Sequence, residues 1–332
     1  MSEFLNTSPE HNALLQAVGS NNQEESLNAL HQLAKALELP LRQGVLSGDN
    51  MQGIYEPIRI TGGSTPEFPL DFLNPGSEND FTAYTIPNQG RIPERHVEGD
   101  FVMVPTFDIG NAIDWLLKYA RDARWDIVGR AMEVLEGGFT KKMNDDGWHV
   151  LLTAGVDRNI LIFDSDASAG QFTKRLVSLM KVVMRRNAGG NSTSQNRGLL
   201  TDLYLSPEAL EDIRNWGVDI VDDVTRREIF LEGESFRRLY NVNLSEIDEL
   251  GVGQEYQSFF SSDLAGTMAS GDSEIVVGLD LNRRDAFVMP IRAEIEIFED
   301  PVLHRQRRAG LYGWGEMGFA SLDNRRILIG SI

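Results

Sequence analysis

DIGNAIDWLLKYARDARWDIVGRAMEVLEGG, residues 108–138, is the stretch from which the rest of the chain can be read. Its apolar positions Ile109, Ala112, Ile113, Leu116, Ala120, Ala123, Ile127, Ala131 and Leu135 recur every three or four residues, the mark of one buried stripe on an α-helix. Asp108 stands where a cap is needed, Gly137 and Gly138 stand where a helix would stop, and no proline intervenes. The spacing therefore predicts a single rod about 40 Å long at 1.5 Å per residue, with Gly129 its one weak point. Trp115, Tyr119, Trp125 and Met132 widen the stripe beyond what one neighbour would cover, so the helix is expected to cross a sheet with a second element on its flank.

The residues before this rod cannot be helical. Residues 51–105 carry seven of the chain's twelve prolines together with the pair Gly62-Gly63, which forbids helix and disfavours a central strand. Residues 55–61 and 81–86 are short extended pieces able to pair as a two-stranded excursion that returns through residues 101–105. So long a segment without regular structure inside a compact domain points to a functional arm or binding loop. Upstream, Ser8-Pro9-Glu10 starts a first helix with Leu14, Leu15 and Val18 on one face, ended by Gly19-Ser20. Leu27, Leu30, Leu33, Ala34 and Leu37 stripe a second that Pro40 is expected to break. Both are too short to be stable alone and must pack on something, in the same chain or in a neighbour.

After residue 138 come an amphipathic piece (139–143), an apolar turn (148–152), a strand-like run (159–163) and a helix over 169–186 ending in a loop rich in Gly, Ser and Asn. Residues 199–205 are extended, and Ser206-Pro207-Glu208 then starts a helix with Ala209, Leu210 and Ile213 inward. Residues 274–279 are apolar. Within 290–299 Ile291, Ala293, Ile295 and Ile297 alternate with Arg292, Glu294 and Glu296, a half-buried strand. Asp300-Pro301 is expected to open a last helix through about Ala320, and residues 326–329 close as a strand.

Composition narrows the function. A chain of 332 residues can build one large or two ordinary cores, and a formal charge of −19 argues against a protein whose main task is gripping phosphates. Without cysteine there is no disulfide, thiolate metal site or cysteine nucleophile, and neither a signal peptide nor a run of 18 apolar residues is present. Six lysines stand against 25 arginines, a balance that suits planar contacts to carboxylates at interfaces and equally a compositional bias.

No catalytic pattern survives inspection. Gly313-Trp314-Gly315-Glu316-Met317-Gly318 matches G-x-G-x-x-G, yet a dinucleotide site needs a preceding strand and an acidic residue about 20 positions on, and the glycines read better as close-packing positions of the last helix. Asp164-Ser165-Asp166 and Asp145-Asp146 lack calcium-loop spacing, the five histidines lack zinc spacing, and no nucleophile elbow or Walker A sequence occurs. No cofactor or metal is implied. Arginine doublets at 185–186, 226–227, 237–238, 283–284, 307–308 and 325–326 read as solvated faces, subunit ion pairs or a lining that meets nucleic acid.

In order, the elements are arm, projecting extended loop, long helix, strand-helix step, alternating strand, helix and closing strand. This α+β arrangement resembles the major capsid protein of tailed bacteriophages, the Hong Kong 97-type fold. The resemblance rests on residues 107–148, on 199–215 and on AEIEIFEDPVLHRQRRAGLYGWGEMGFASLDNRRILIG, residues 293–330. It implies an N-terminal arm (1–52), an extended β-hairpin loop (53–105), a peripheral domain with a spine helix (106–158), an axial domain (159–288) and a return to the peripheral domain (289–332). It implies no enzymatic activity, but self-assembly as pentamers and hexamers into an icosahedral shell around double-stranded DNA, put together in the host cytoplasm, with a scaffolding protein, a portal and a decoration protein as partners and no membrane. Heterologous contacts that close into rings build such containers.

The assembly contacts expected on this basis are Leu14, Leu15 and Leu30 in the arm and Arg59, Arg91, Glu94 and Arg95 in the loop. Deleting residues 1–50 is expected to spare the fold and impair assembly. Some shells of this family are welded through a lysine in the extended loop, but residues 53–105 contain none, so no such cross-link is expected. The rival readings are an encapsulin-like nanocompartment and a soluble α/β enzyme.

Overall fold

The computed structural model describes residues 9–48, 50–62, 65–69, 101–122, 124–187, 198–216, 237–271, 273–282 and 284–332. Two arm helices, Pro9–Val18 and Gln23–Gly48, lead into short strands β1 (Glu56–Arg59), β2 (Glu67–Pro69) and β3 (Phe101–Met103). Strand β4 (Phe107–Leu116), a short helix (Leu117–Arg121) and a long helix (Trp125–Asp157) follow. Then come β5 (Leu161–Phe163), the helix Lys174–Asn187, β6 (Asp202–Leu205), the helix Pro207–Asn215, β7 (Arg237–Leu239), β8 (Val242–Glu246) and β9 (Ile275–Leu279). Strands β10 (Phe287–Glu299), β11 (Arg308–Met317), β12 (Ala320–Ser321) and β13 (Ile327–Ser331) complete the chain. The chain divides into two units: residues 1–66, 103–147 and 288–320, and residues 67–102, 148–287 and 321–332.

The stretch 108–138 is two elements, not one helix. Residues four apart share a face in a helix and also in a strand, because four is a multiple of the strand period of two. Ile109 and Ile113 therefore satisfy both periods, and what decides is pairing: β4 lies antiparallel to β11 through ten consecutive residues, from Arg308↔Leu116 to Met317↔Phe107. Ile109 and Trp115 are buried while Asp108, Gly110, Ala112 and Asp114 are exposed. Asp108 thus pairs across the sheet with Glu316 instead of capping a helix.

The long helix begins only at Trp125 and continues through the expected glycine stop to Asp157, 33 residues or about 50 Å. Val128, Met132, Leu135, Phe139 and Met143 are buried along it in the first unit. Gly138 is a contact, not a terminator: a Cβ there would meet Asn111 Nδ2 at 2.3 Å, and one at Gly147 would meet Met51 Sδ at 2.3 Å. The pieces 139–143 and 148–152 are continuations of this helix, whose tail belongs to the second unit.

The sheet of the first unit runs β1-β10-β11-β4, with β1 parallel to β10 and the other neighbours antiparallel. Residues 55–61 therefore contribute a sheet strand against β10, while residues 81–86 lie outside the described residues. The expected last helix is β11, preceded by a single 3₁₀ turn, Leu303–Gln306. Glycines at 310, 313 and 315 would each weaken a helix by about 1 kcal/mol, whereas a strand places Gly313 where a Cβ would lie 3.1 Å from Glu296 O and 3.2 Å from the Phe139 ring. The expectation of close packing at these glycines holds, on a strand instead of a helix.

Of the two supports open to the arm, the described residues show its own chain. Leu15, Val18, Leu30, Leu33, Leu37 and Leu41 are buried, and Arg121 donates from Nε to Gly19 O (3.3 Å) and from Nη2 to Asn21 Oδ1 (2.8 Å). Pro40 does not end the second helix but lies inside it.

The second unit holds a six-stranded sheet in the order β5-β13-β9-β6-β8-β7. β13 is parallel to β5 and antiparallel to β9, and β6 is antiparallel to β9 and parallel to β8. The β7–β8 hairpin turns on Tyr240 and Asn241, both with positive φ (51° and 62°), the twist a two-residue hairpin requires. Phe172, Leu176, Val177, Met180 and Met184 pack with Leu203, Leu205, Leu210 and Ile213 to form its core. The strand-helix step forms as read from the sequence, with Ser206 Oγ accepting from Ala209 N at 3.1 Å as the N-cap.

Candidate assembly surfaces

The outward face of the first unit's sheet carries an exposed aromatic strip set among the charged residues Asp108, Asp114, Glu296 and Arg308. Alternation along β11 sends Ala309, Leu311 and Met317 inward and Tyr312 and Trp314 outward, at 38% and 43% exposure. Across the sheet Phe298 stacks on both rings, with centroids 5.5 Å from Tyr312 and 6.4 Å from Trp314. Gly110 and Ala112 lie opposite Trp314 and Tyr312 in β4, so small residues leave the aromatic strip uncovered. Phe107, at the end of β4, is 61% exposed. Sequence reasoning missed these residues because it placed 300–320 on a helix; read with period two, GLYGWG sets both aromatics on one outward face.

β2 and β3 form a separate two-stranded ribbon in which Phe101 and Met103 are 61% and 65% exposed. An isolated ribbon of this kind is marginal in water unless another surface covers it.

The residues expected to make assembly contacts are dispersed. Leu15 and Leu30 are buried in their own subunit and Leu14 is half-buried. Arg59 is well exposed and pairs with Glu294 of the same sheet, while Glu316 accepts from Arg292 (2.8 Å) and from Thr106. Arg91, Glu94 and Arg95 lie outside the described residues. His31 of the arm meets Glu299 at 3.1 Å. Partial burial of Glu299 is outweighed by its backbone hydrogen bond and by His31 and Lys35, which hold its carboxyl below the usual range.

In the second unit the buried charged side chains serve the fold. Arg326, fully buried, donates to Asp280 Oδ2 at 2.7 Å, and the same oxygen accepts from Leu199 N at 3.0 Å. Asp323, although burial opposes its ionisation, is held below the usual range by hydrogen bonds and charge from Arg325 and by the charge of Arg326. Glu274 is displaced the other way: burial pushes its carboxyl up, the Ser206 hydroxyl at 2.5 Å pulls it back, and Glu208 and Asp212 push it up again. A cavity of about 180 Å³ lined by Asp164, Ser165, Ser168, Ser270, Ser273 and Ser331 is smaller than ordinary small-molecule sites, which run from roughly 300 Å³.

By sequence, no family model and no curated protein matches this chain. By fold it is similar to many solved shell subunits. A chain of Microbacterium phage Oxtober96 superposes with a TM-score of 0.57 at 12% identity, over 85% of this chain and 90% of that one. A chain from the capsid of a native GTA particle gives 0.55 at 10% identity, over 86% and 90%. Mycobacterium phage Adephagia gives 0.53 at 12% identity, over 87% and 89%. The chain has the Hong Kong 97-type capsid fold, an α+β architecture.

Proposed function

We propose that this chain is the major capsid protein of a tailed bacteriophage, a structural and non-enzymatic subunit that closes as pentamers and hexamers into an icosahedral shell around double-stranded DNA. The observation that carries the reading is fold coverage: about 85% of this chain and 90% of the phage chain superpose, so the likeness is too long to be confined to either unit alone. The uncovered aromatic strip on β10 and β11 and the exposed ribbon of β2 and β3 support it, since apolar faces of this kind mark surfaces that a partner covers.

In this reading the first unit is the peripheral domain and the second the axial domain. The loop expected over 53–105 lies across a neighbouring subunit only beyond β1, with Arg91, Glu94 and Arg95 making charge contacts and Leu14 completing an arm contact, while Arg59 stays paired with Glu294 in its own sheet. Leu15 and Leu30 hold the arm in place from inside. Assembly takes place in the host cytoplasm, with scaffolding, portal and decoration proteins as partners.

Electron microscopy of the expressed full-length chain tests the proposal. Rings and closed shells are expected; a monodisperse monomer or dimer at every concentration overturns it. Nucleic acid recovered from purified particles separates a virus shell from a compartment that encloses protein cargo.

A further inference from the structure

We propose that the solvent face of the helix Lys174–Asn187 binds the phosphodiester backbone of nucleic acid, without regard to base sequence. As the place where the shell wall meets its packaged genome, this site rests on the capsid reading above; as a binding surface it stands on its own residues.

The first observation is charge. The chain carries 50 carboxylates in 332 residues, yet residues 167–201 contain none, where about five would be expected at the chain's own frequency. Six cations fall in the same window: Lys174, Arg175, Lys181, Arg185, Arg186 and Arg197. A strongly acidic chain has thus kept one stretch of single positive sign.

The second observation is placement. Leu176, Val177, Met180 and Met184 turn into the core, and the remaining arc carries exposed Lys174, Arg175, Arg185 and Arg186, with exposed Val182 among them and half-buried Lys181 at the flank. Lys174, Lys181 and Arg185 sit at positions i, i+7 and i+11, one stripe about 16 Å long, a length over which duplex DNA carries about ten charges. Arg175 is offset by Asp164 and Asp166, and Lys181 donates to Tyr240 O at 2.5 Å. Arg185 and Arg186 are exposed and make no ion pair among the described residues.

Helix stability alone does not account for the stripe. Cations in the last turn complement the helix dipole, as Arg185 and Arg186 do, but Lys174 and Arg175 occupy the first turn, where a cation is unfavourable. An acidic face of a second copy is the competing occupant. Contacts between identical acidic chains set their register with both signs of charge, whereas a carboxylate-free row of donors fits a polyanion of uniform sign.

The test is a fluorescence-anisotropy titration of unassembled full-length chain with a labelled duplex of unrelated sequence across a salt series. Neutralising both arginines, Arg185→Gln with Arg186→Gln, is expected to weaken binding several-fold and to lower the slope of log affinity against log salt by about 1.8, two phosphate contacts' worth. Arg185→Lys with Arg186→Lys should keep the slope. The control Arg130→Gln with Arg214→Gln, equal in charge and elsewhere on helices, should leave binding within two-fold.

Absence of binding by the native chain, unchanged binding by the glutamine pair, or equal loss in the control overturns the inference. So does a glutamine pair that binds DNA normally but no longer closes shells, which would make the stripe a contact between subunits. Shell formation is read separately by microscopy: native chain that never forms shells refutes the capsid reading, while the titration still decides the site.

Discussion

Gly138 of the long helix lies against Asn111 of β4 so closely that a Cβ would stand 2.3 Å from Asn111 Nδ2, and Asn111 donates from that nitrogen to Leu135 O at 3.3 Å. This hydrogen bond ties the helix to β4 beside the buried contact of Phe139 with Gly313. Gly137, one residue earlier, has nothing within 4 Å of its would-be Cβ. Gly138→Val should therefore cost about 1 kcal/mol by displacing the Asn111 amide from its hydrogen bond, while Gly137→Ala should stabilise by about 0.5–1 kcal/mol. Denaturant unfolding of the two variants checks the opposite signs.

Asp280 and Arg326 form a fully buried pair at 2.7 Å. Arg326→Ala alone should cost about 3–5 kcal/mol, because it leaves Asp280 buried without its cation, and Asp280→Ala should cost less, because Arg326 keeps Asp323 at 3.4 Å. Replacing both by apolar residues of similar volume should cost much less than the sum. A double-mutant cycle by chemical denaturation measures the coupling.

Glu274 in the folded chain binds its proton more tightly than in the unfolded chain. Its contribution to stability is therefore fully present below the unfolded value of about 4.3 and is lost as pH rises through the raised folded value. Glu274→Gln removes that loss and should raise Tm at pH 7. The advantage should vanish near pH 4, as thermal scans at the two pH values will show.

The buried arm leucines reverse the expectation that residues 1–50 can be removed without harm to the fold. Leu33, 1% exposed, should cost about 2–5 kcal/mol as Leu33→Ala, and loss of the whole arm should destabilise the first unit before any effect on assembly is reached. Limited proteolysis of the truncated chain measures this; protection equal to that of the full chain would restore the idea of a detachable arm.

Residues 53–105 contain no lysine, so mature particles should dissociate into monomers in denaturing electrophoresis, without a ladder of covalent multimers. Shell strength would then rest on buried area and arginine contacts and should fall with added salt to the extent that those contacts are exposed.

Much of the second unit was legible because its signals are local. Ser206-Pro207-Glu208 carries its cap in consecutive residues, and the helix expected over 169–186 forms, although it starts only at Lys174. The first unit was harder to read. Ile109, Ile113 and Leu135 obey helical spacing, yet the first two lie in a strand and the third in a helix, and glycines at 137 and 138 resemble a stop until the sheet beneath them is seen. Of the expected assembly contacts, Leu15 and Leu30 could be recognised as apolar but not as internal, since a stripe says that a face is covered and not by what. The aromatic strip went unread for a related reason: Phe298, Tyr312 and Trp314 meet only through strand pairing.

What the sequence determined by itself is the set of elements with local causes: the arm helices, the proline-rich break before residue 105, the strand-helix step at Ser206, the alternation of β10 and the carboxylate-free stretch 167–201. Tertiary structure alone decided that residues 107–116 and 308–317 are strands, that the long helix runs from Trp125 to Asp157, and that the arm is anchored in its own subunit. A residue spacing of four is compatible with either period, and glycine-rich segments have weak preferences of their own. In both places ten cross-strand pairs and the fit of Gly138 against Asn111 outweigh what the local sequence favours.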